Sequence, residues 1–204
     1  MRSRVFVAWG YCPRMSGNVF WRQHGDTWAR RSEHGLPNAA YDRPAILRLA
    51  GDVTGRCVLE LGCAAGVLTR QLVDRGASVL ALDREPRMAD LARQRLDGRA
   101  RVEVGDVEQP LDMVPDASID LVVAALVLHY IEDWRPLLGE LHRCLVPGGA
   151  LVFRSSCSSE RCARSSNRRI PRSGPGAFRP TAASHFQLTG ICRHISRRMT
   201  VHRK

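Results

Sequence analysis

The chain has 204 residues, 44% of them hydrophobic, which is enough for one domain with an ordinary core, and it contains no run of 18 apolar residues that could cross a membrane. Its seven cysteines are odd in number and include no CxxC pair, which favours reduced thiols in a cytoplasmic protein over a disulfide framework or a zinc site. The net charge of +11 lies entirely in residues 154–204, because residues 1–153 hold 19 Arg and 19 acidic residues.

The predicted elements alternate between strands and helices from Tyr41 onward. Before it, residues 1–40 predict an irregular segment, and their short apolar stretch is too interrupted by Gly10 and Pro13 for a signal peptide. Helical spacing after Tyr41 predicts a first helix that ends at Gly51 or Gly55. Buried strands are predicted over 57–61, 78–83, 101–106, 119–130 and 150–153, and further helices over 67–76, 85–98 and 133–149.

This alternation predicts an α/β fold, a Rossmann-like and mostly parallel sheet of five recognisable strands with helices on both faces. The near-continuous apolar character of the strands agrees, because such strands are buried on both sides. We therefore interpret residues 41–153 as one domain.

The stretch "VLELGCAAGVLTRQL" passes from a strand through a glycine-bounded loop into a helix. Gly62 and Gly66 allow a ligand to approach the backbone at the carboxyl end of the strand, where open parallel sheets bind their ligands. Asp83 follows Gly62 by 21 residues and ends the next strand, a position from which a carboxylate accepts ribose hydroxyls. Asp106, at the end of the third strand, is placed near the amine of an adenine.

Two nucleoside ligands compete for this loop. A nicotinamide dinucleotide, as in an oxidoreductase, would favour G-x-G-x-x-G, and the loop has glycine only at its first and fifth positions. Glu60, at the end of the first strand, would repel a pyrophosphate and attract a cationic amine.

Five ordered motifs carry a resemblance to a known family: "VLELGCAAG", Asp83, "GDVEQPL", "IDLVVAALVLHYIEDW" and "LHRCLVPGGALVF". Together they resemble the class I S-adenosylmethionine-dependent methyltransferases, and within them the small-molecule group that includes ubiquinone- and menaquinone-type enzymes. The resemblance covers residues 41–153. It implies an enzyme that uses S-adenosylmethionine to methylate a small molecule, without a metal, a membrane or a nucleic-acid partner.

The resemblance also implies residue roles. The methionine part of the cofactor would be lined by Glu60, Gly62, Cys63, Ala64 and Gly66. The ribose and adenine would be contacted by Asp83, Arg84, Met88, Asp106 and Val107. The sulfonium would face Ala124 and Ala125, and Tyr41 would close over the cofactor. His129 and Tyr130 are the candidates for acceptor contact or for a catalytic base. Ala64 stands where the family often has Gly, and alanine there requires a negative φ.

Each of these residues also has a purely structural interpretation. Gly62 and Gly66 could pack a helix against a strand, Asp83 and Asp106 could be turn residues, and Cys63 could be a small core filler.

The sequence after Phe153 departs from the family, which continues with a helix and an antiparallel pair of strands. Residues 154–204 are rich in Arg, Ser, Pro and Gly, which predicts a disordered basic tail and the loss of those antiparallel strands. A shifted reading frame near Arg154 is one explanation, favoured by 30 Arg against one Lys; an arginine-rich arm that binds nucleic acid is the other. Loss of the family's C-terminal elements would leave a sheet edge open and predicts impaired activity.

Overall fold

A computed structural model describes residues 25, 27, 29, 35, 37–131, 133–154, 187–191 and 198–200. They form one seven-stranded sheet in the order β3-β2-β1-β4-β5-β6-β7, in which β1 to β6 run parallel and β7 runs antiparallel to β6. The strands are β1 (Cys57–Leu61), β2 (Ser78–Asp83), β3 (Arg101–Val104), β4 (Ile119–Ala125), β5 (Leu145–Arg154), β6 (Gln187–Ile191) and β7 (Arg198–Thr200).

The helices lie between these strands, as predicted. They are α1 (Arg43–Ala50), α2 (Val67–Val73), α3 (Pro86–Leu96) and α4 (Trp134–Cys144), with a π-helical turn at Pro37–Asp42 and a 3-10 turn at Leu128–Tyr130. Pro86 opens α3, where its missing N–H has no helical partner to lose. Asp133 caps α4 by accepting a hydrogen bond from the backbone N–H of Arg135.

Helices cover both faces of the sheet, because alternate strand residues point to opposite sides. On one face Val58 and Val123 belong to a core with α1, α2 and α3, to which Leu72 contributes. On the other face Leu59 and Val122 pack with α4 and with the segment between β3 and β4. The predicted Rossmann-like α/β architecture with a parallel sheet is thus confirmed.

Two predicted boundaries around β4 and β5 are wrong. The strand predicted over 119–130 ends at Ala125, because Leu126 adopts a left-handed φ of 60° that a strand cannot continue. β5 begins at Leu145 instead of residue 150, since Leu145 pairs with Ile119 before the register shifts to Leu121 and Ala150. Residues 145–149, predicted as the end of a helix, therefore lie within β5.

The prediction that antiparallel C-terminal strands are missing is also wrong. β6 pairs with β5 in parallel, and β7 adds one antiparallel strand at the edge. These strands have five and three residues, too few for an alternating pattern to show in the sequence. Most of the predicted irregular N-terminal segment and of the predicted disordered tail lies outside the described residues.

No helix among the described residues is long and apolar enough to cross a membrane.

Candidate active site

The loop after β1 is fixed to the neighbouring strand by its backbone. The N–H groups of Gly62 and Cys63 both donate to the carbonyl of Leu82, at 2.8 and 2.9 Å. Gly62 has a φ of 69°, and a β-carbon there would lie 2.9 Å from Cγ2 of Val127. The fold itself therefore requires glycine at the start of this loop.

Gly66, at the other end of the loop, is the N-cap residue of α2 and has a φ of 73°. A β-carbon at Gly66 would lie 3.0 Å from Cβ and 3.1 Å from Cα of Ala92 on α3. These close contacts support the structural interpretation of both glycines, in which the missing side chain allows a helix to pack closely against its neighbours. A role in admitting a ligand to the backbone stays a prediction.

Ala64, in the middle of the loop, has a φ of 48°. The condition that alanine here needs a negative φ is therefore not met, and the residue is held in a left-handed conformation that favours glycine. Its N–H donates a hydrogen bond of 2.8 Å to Oδ2 of Asp83. This bond compensates part of the strain and ties the loop to the tip of β2.

Asp83 has a second structural bond, because its Oδ1 accepts the N–H of Glu85 at 3.0 Å. Burial raises the pKa of Asp83, while the backbone N–H groups of Glu85 and Ala64 act in the opposite direction. Each carboxylate oxygen has two lone pairs, so these two bonds leave acceptor capacity on Asp83 for a further donor.

Glu60 lies near the end of β1 and is 2% exposed. Burial, with a smaller contribution from the nearby charge of Asp83, raises its pKa to about 7, although the Thr69 hydroxyl opposes the shift. Within the described part of the chain, Oε2 of Glu60 and Oγ1 of Thr69 have no hydrogen-bond partner. A carboxylate oxygen without a donor is unusual at this depth of burial, and Oε2 of Glu60 is therefore a candidate acceptor for a donor on a ligand.

Asp106 lies in the turn after β3, at the same edge of the sheet as the carboxyl ends of β1 and β2. Its Oδ1 accepts the N–H of Glu108 at 3.0 Å, and its Oδ2 lies 3.8 Å from the guanidinium of Arg84, which also lies 3.9 Å from Glu108. The N–H of Gly105 donates to the carbonyl of Asp83 at 3.0 Å, which places the two predicted carboxylates at adjacent strand tips. Asp106 has a turn role, and Val107 next to it packs on the core.

Met88 and Tyr41 have opposite environments. Met88 is 2% exposed and packs with Ala29 and Ala65, so the helical N-terminal residues cover it. Tyr41, on the π-helical turn, is 57% exposed. Met88 is therefore screened by protein in this structure, whereas the ring of Tyr41 is available to a ligand.

The tip of β4 carries the remaining predicted residues. Ala124 is fully buried, and Ala125 is half-buried beside Arg154 of β5. His129 and Tyr130 follow in the 3-10 turn with their ring centroids 4.1 Å apart. Burial lowers the pKa of His129 to about 4, and its Nδ1 is buried without a hydrogen-bond partner among the described residues. The imidazole is consequently neutral at pH 7.

Known proteins share this arrangement. A family model described as a methyltransferase domain matches residues 59–153. An S-adenosylmethionine-dependent methyltransferase from Mesorhizobium loti is 35% identical with a TM-score of 0.51, covering 54% of this chain and 50% of that one. A TehB-like SAM-dependent methyltransferase from Corynebacterium glutamicum is 30% identical with a TM-score of 0.52, covering 63% of this chain and 70% of that one. The chain belongs to the class I S-adenosylmethionine-dependent methyltransferases.

The curated relatives of this methyltransferase are longer than the chain. Malonyl-[acyl-carrier protein] O-methyltransferase of Serratia marcescens is 38% identical over 109 residues, which are 53% of this chain and 41% of the relative. The chain spans about half the length of the curated relatives it matches.

The carboxylates at the strand tips of this chain fit the family's cofactor in their chemistry. S-adenosylmethionine carries an ammonium group and two ribose hydroxyls as donors, and the buried Oε2 of Glu60 and the remaining lone pairs of Asp83 are acceptors. A cation near Glu60 would also favour its charged form against burial.

Cys63 takes no part in this chemistry. Burial raises the pKa of its thiol, and the carboxylates of Glu60 and Asp83 raise it further. The protonated Sγ lies 3.6 Å from the carbonyl of Ala64. A protonated buried thiol is a poor nucleophile, which agrees with the interpretation of Cys63 as a core filler.

Sequence reasoning missed one pair of residues in this methyltransferase. The carboxylate of Asp42 and the guanidinium of Arg154 form an ion pair with side chains that are each 10% exposed. Asp42 closes the π-helical turn, and Arg154 ends β5. Their separation of 112 positions left no local signal, although "YD" directly before a predicted helix could have been noted as a helix-capping pattern.

Proposed function

We propose that this chain binds S-adenosylmethionine in the crevice at the tips of β1, β2 and β3 and transfers its methyl group to a small-molecule acceptor. The observation that carries the proposal is the buried Oε2 of Glu60, which has no partner within the described residues and lies close enough to Asp83 to feel its charge. Two neighbouring buried carboxylates suit a cationic ligand that brings its own donors.

The chain would hold the cofactor through three groups of residues. Glu60 would accept from the ammonium group, while Gly62, Cys63, Ala64 and Gly66 would surround the methionine part. Asp83 would accept from the ribose hydroxyls, with Arg84 beside the adenosine and Asp106 and Val107 at the adenine. Met88 is covered by protein and would support this site only by packing. Ala124 and Ala125 would leave room for the sulfonium at the tip of β4.

When bound, the cofactor supplies a methyl group that is already activated by the sulfonium charge. The chain then has to align the acceptor with that methyl group, and proximity and orientation alone lower the barrier by about 7–11 kcal/mol in favourable cases. His129 and Tyr130 lie after β4 in position to contact an acceptor. Since burial lowers the pKa of His129 to about 4, its imidazole is neutral at pH 7 and a weak base, which favours acceptor contact over proton abstraction.

The acceptor is proposed to be a small molecule, because the motifs resemble the small-molecule group of the family. The relative from Serratia marcescens, named for malonyl-[acyl-carrier protein], offers malonyl thioesters as the first acceptors to assay. Free malonyl thioesters and quinone precursors should be compared in one assay that follows release of S-adenosylhomocysteine.

Calorimetric titration with S-adenosylhomocysteine tests the cofactor site. We expect saturable binding by the wild-type chain and a loss of about two orders of magnitude in Asp83→Ala, since about 1.4 kcal/mol corresponds to each factor of ten. Asp90→Ala is the matched control, because Asp90 lies on the exposed face of α3 and forms an ion pair with Arg93. An Asp83→Ala affinity equal to that of the control, in a folded variant, would contradict the assignment.

Competition with a reduced nicotinamide dinucleotide separates this proposal from an oxidoreductase. We expect no displacement of S-adenosylhomocysteine by the dinucleotide, because the loop lacks the G-x-G-x-x-G pattern for a pyrophosphate. Displacement at comparable concentrations would favour the oxidoreductase.

A further inference from the structure

The buried ion pair of Asp42 and Arg154 joins the N-terminal cover of the domain to the sheet. Asp42 is the last residue of the π-helical turn, and Arg154 is the last residue of β5. Buried charges are retained where both partners are present, because removing one leaves the other uncompensated. The pair therefore fixes the distance between the turn and the tip of β5.

The ion pair is the anchor that the described side chains of the turn show. Among its residues whose side chains the structure describes, 38–42, Asp42 is the only buried one. The following helix is held separately, because Ile46 and Ala50 of α1 are buried in the core on that face of the sheet. Loss of the ion pair should consequently loosen the turn and leave α1 in place.

Arg154 lies beside the tip of β4. It pairs in register with Ala125, and its carbonyl accepts the N–H of Leu126 at 2.8 Å. The tip of β4 at Ala125 is where the proposed function places the reacting sulfonium. The ion pair thus connects the turn directly to this part of the site.

Tyr41 immediately precedes Asp42 and is 57% exposed. A large aromatic side chain that is exposed beside a crevice can cover apolar ligand surface when the backbone that carries it is fixed. The one buried side chain next to it is that of Asp42. The ion pair therefore anchors the backbone next to Tyr41.

We propose that Asp42 and Arg154 are a positioning pair, which holds the π-helical turn against the tip of β5 so that Tyr41 covers the bound cofactor. This inference rests on the proposed function, since it assigns a cofactor to the crevice. Neither residue of the pair need touch the ligand, and both act through Tyr41. If breaking the pair lowers the ligand-competent fraction of turns to a tenth, the apparent dissociation constant rises about tenfold.

The test is a thermodynamic cycle measured by calorimetric titration of S-adenosylhomocysteine into Asp42→Asn, Tyr41→Ala and the double variant. We expect each single variant to bind about tenfold more weakly and the double variant to bind no more weakly than Tyr41→Ala alone. Arg101→Gln is the control, since it breaks the exposed pair of Arg101 with Glu103, and both residues lie on the edge strand β3. In Asp42→Asn, hydrogen exchange should be faster at the Ala39 amide, which donates to the carbonyl of Gly35, while the exchange rates in β1 and β4 stay unchanged.

The outcomes separate this inference from the proposed function. Absence of binding by the wild-type chain overturns both. Wild-type binding with an unchanged affinity in Asp42→Asn, or with additive losses in the double variant, overturns the positioning role alone. If Asp42→Asn does not fold, Arg154→Lys is measured in the same cycle: it keeps the charge and alters its geometry. Non-additivity with Tyr41→Ala then supports the inference, and additivity overturns it.

Discussion

The backbone N–H of Ala64 donates to Oδ2 of Asp83 at 2.8 Å, across the gap between the loop after β1 and the tip of β2. This bond holds a non-glycine residue at a φ of 48°. The carboxylate proposed to bind the ribose is thus also the group that shapes the loop proposed to bind the methionine part. Loss of Asp83 should disturb both ends of the cofactor at once.

Ala64→Gly should stabilise the chain. The left-handed conformation costs a non-glycine residue about 1–2 kcal/mol, while glycine adds about 0.5–1 kcal/mol of conformational entropy to the unfolded chain. We expect the free energy of unfolding to rise by up to about 1 kcal/mol in a denaturant titration. The control is Ala65→Gly, because Ala65 is 4% exposed and has no positive φ, so it should lose about 1 kcal/mol. Equal losses in both variants would contradict strain at Ala64.

Glu60→Gln should change the dependence of stability on pH. The pKa of Glu60 is raised from 4.5 to about 7 by burial, so the folded chain binds this proton more tightly than the unfolded chain between those values. Protonated Glu60 contributes its full share to the free energy of unfolding below pH 4.5, and this contribution is lost as pH rises through 7. At pH 8, where the buried charge is present, Glu60→Gln should therefore be more stable than the wild type by up to about 3 kcal/mol.

The measurement is chemical unfolding at several pH values from 5 to 8, together with titration of S-adenosylhomocysteine. The same variant should bind the ligand more weakly, because glutamine carries no charge to attract an ammonium group. Glu103→Gln, at an exposed pair with Arg101, should change neither property. A Glu60→Gln variant that retains both the wild-type pH slope and the wild-type affinity would contradict the role of Glu60.

The fold was largely predictable because its signals are local. β1 and β2 have the predicted bounds, since each is a mostly apolar run that ends at a glycine or an acidic residue. The carboxylates of Glu60 and Asp83 could be expected to lie together because neighbouring parallel strands end at one edge of a sheet.

The features that could not be predicted depend on distant contacts or on backbone angles. The ion pair of Asp42 and Arg154 exists only once β5 reaches the π-helical turn, and the sequence shows neither residue to be buried. The positive φ of Ala64 follows from its bond to Asp83. β6 was missed because five residues that include Gly190 give too short a pattern.

Gly66→Ala should be strongly destabilising. The new methyl group would lie 3.0 Å from Cβ and 3.1 Å from Cα of Ala92, and the φ of 73° adds strain. Crowding and backbone strain together predict a loss of about 2–4 kcal/mol. Gly98→Ala isolates the strain, because its φ of 75° is similar and nothing lies within 4 Å of its β-carbon; it should lose only about 1 kcal/mol. Matching losses in denaturant titration would show that contact with α3 is unimportant.

Arg143→Met should loosen the segment between β3 and β4, which carries Asp106 and Val107. The guanidinium of Arg143 donates to the carbonyls of Val114 at 2.8 Å and Leu111 at 3.0 Å, and it pairs with Asp116 and Glu140. Methionine retains most of the apolar volume and leaves these two carbonyls without their donor. We expect the free energy of unfolding to fall by about 2–3 kcal/mol.

The control for Arg143 is Arg135→Met. Arg135 is 86% exposed in its pair with Asp133, so its loss should leave the free energy of unfolding close to that of the wild type. Because Asp106 and Val107 are proposed to contact the adenine, Arg143→Met should also weaken S-adenosylhomocysteine binding under conditions where the variant is fully folded, whereas Arg135→Met should not. A destabilised Arg143→Met chain with wild-type affinity would show that this segment supports the fold without shaping the adenine end of the site.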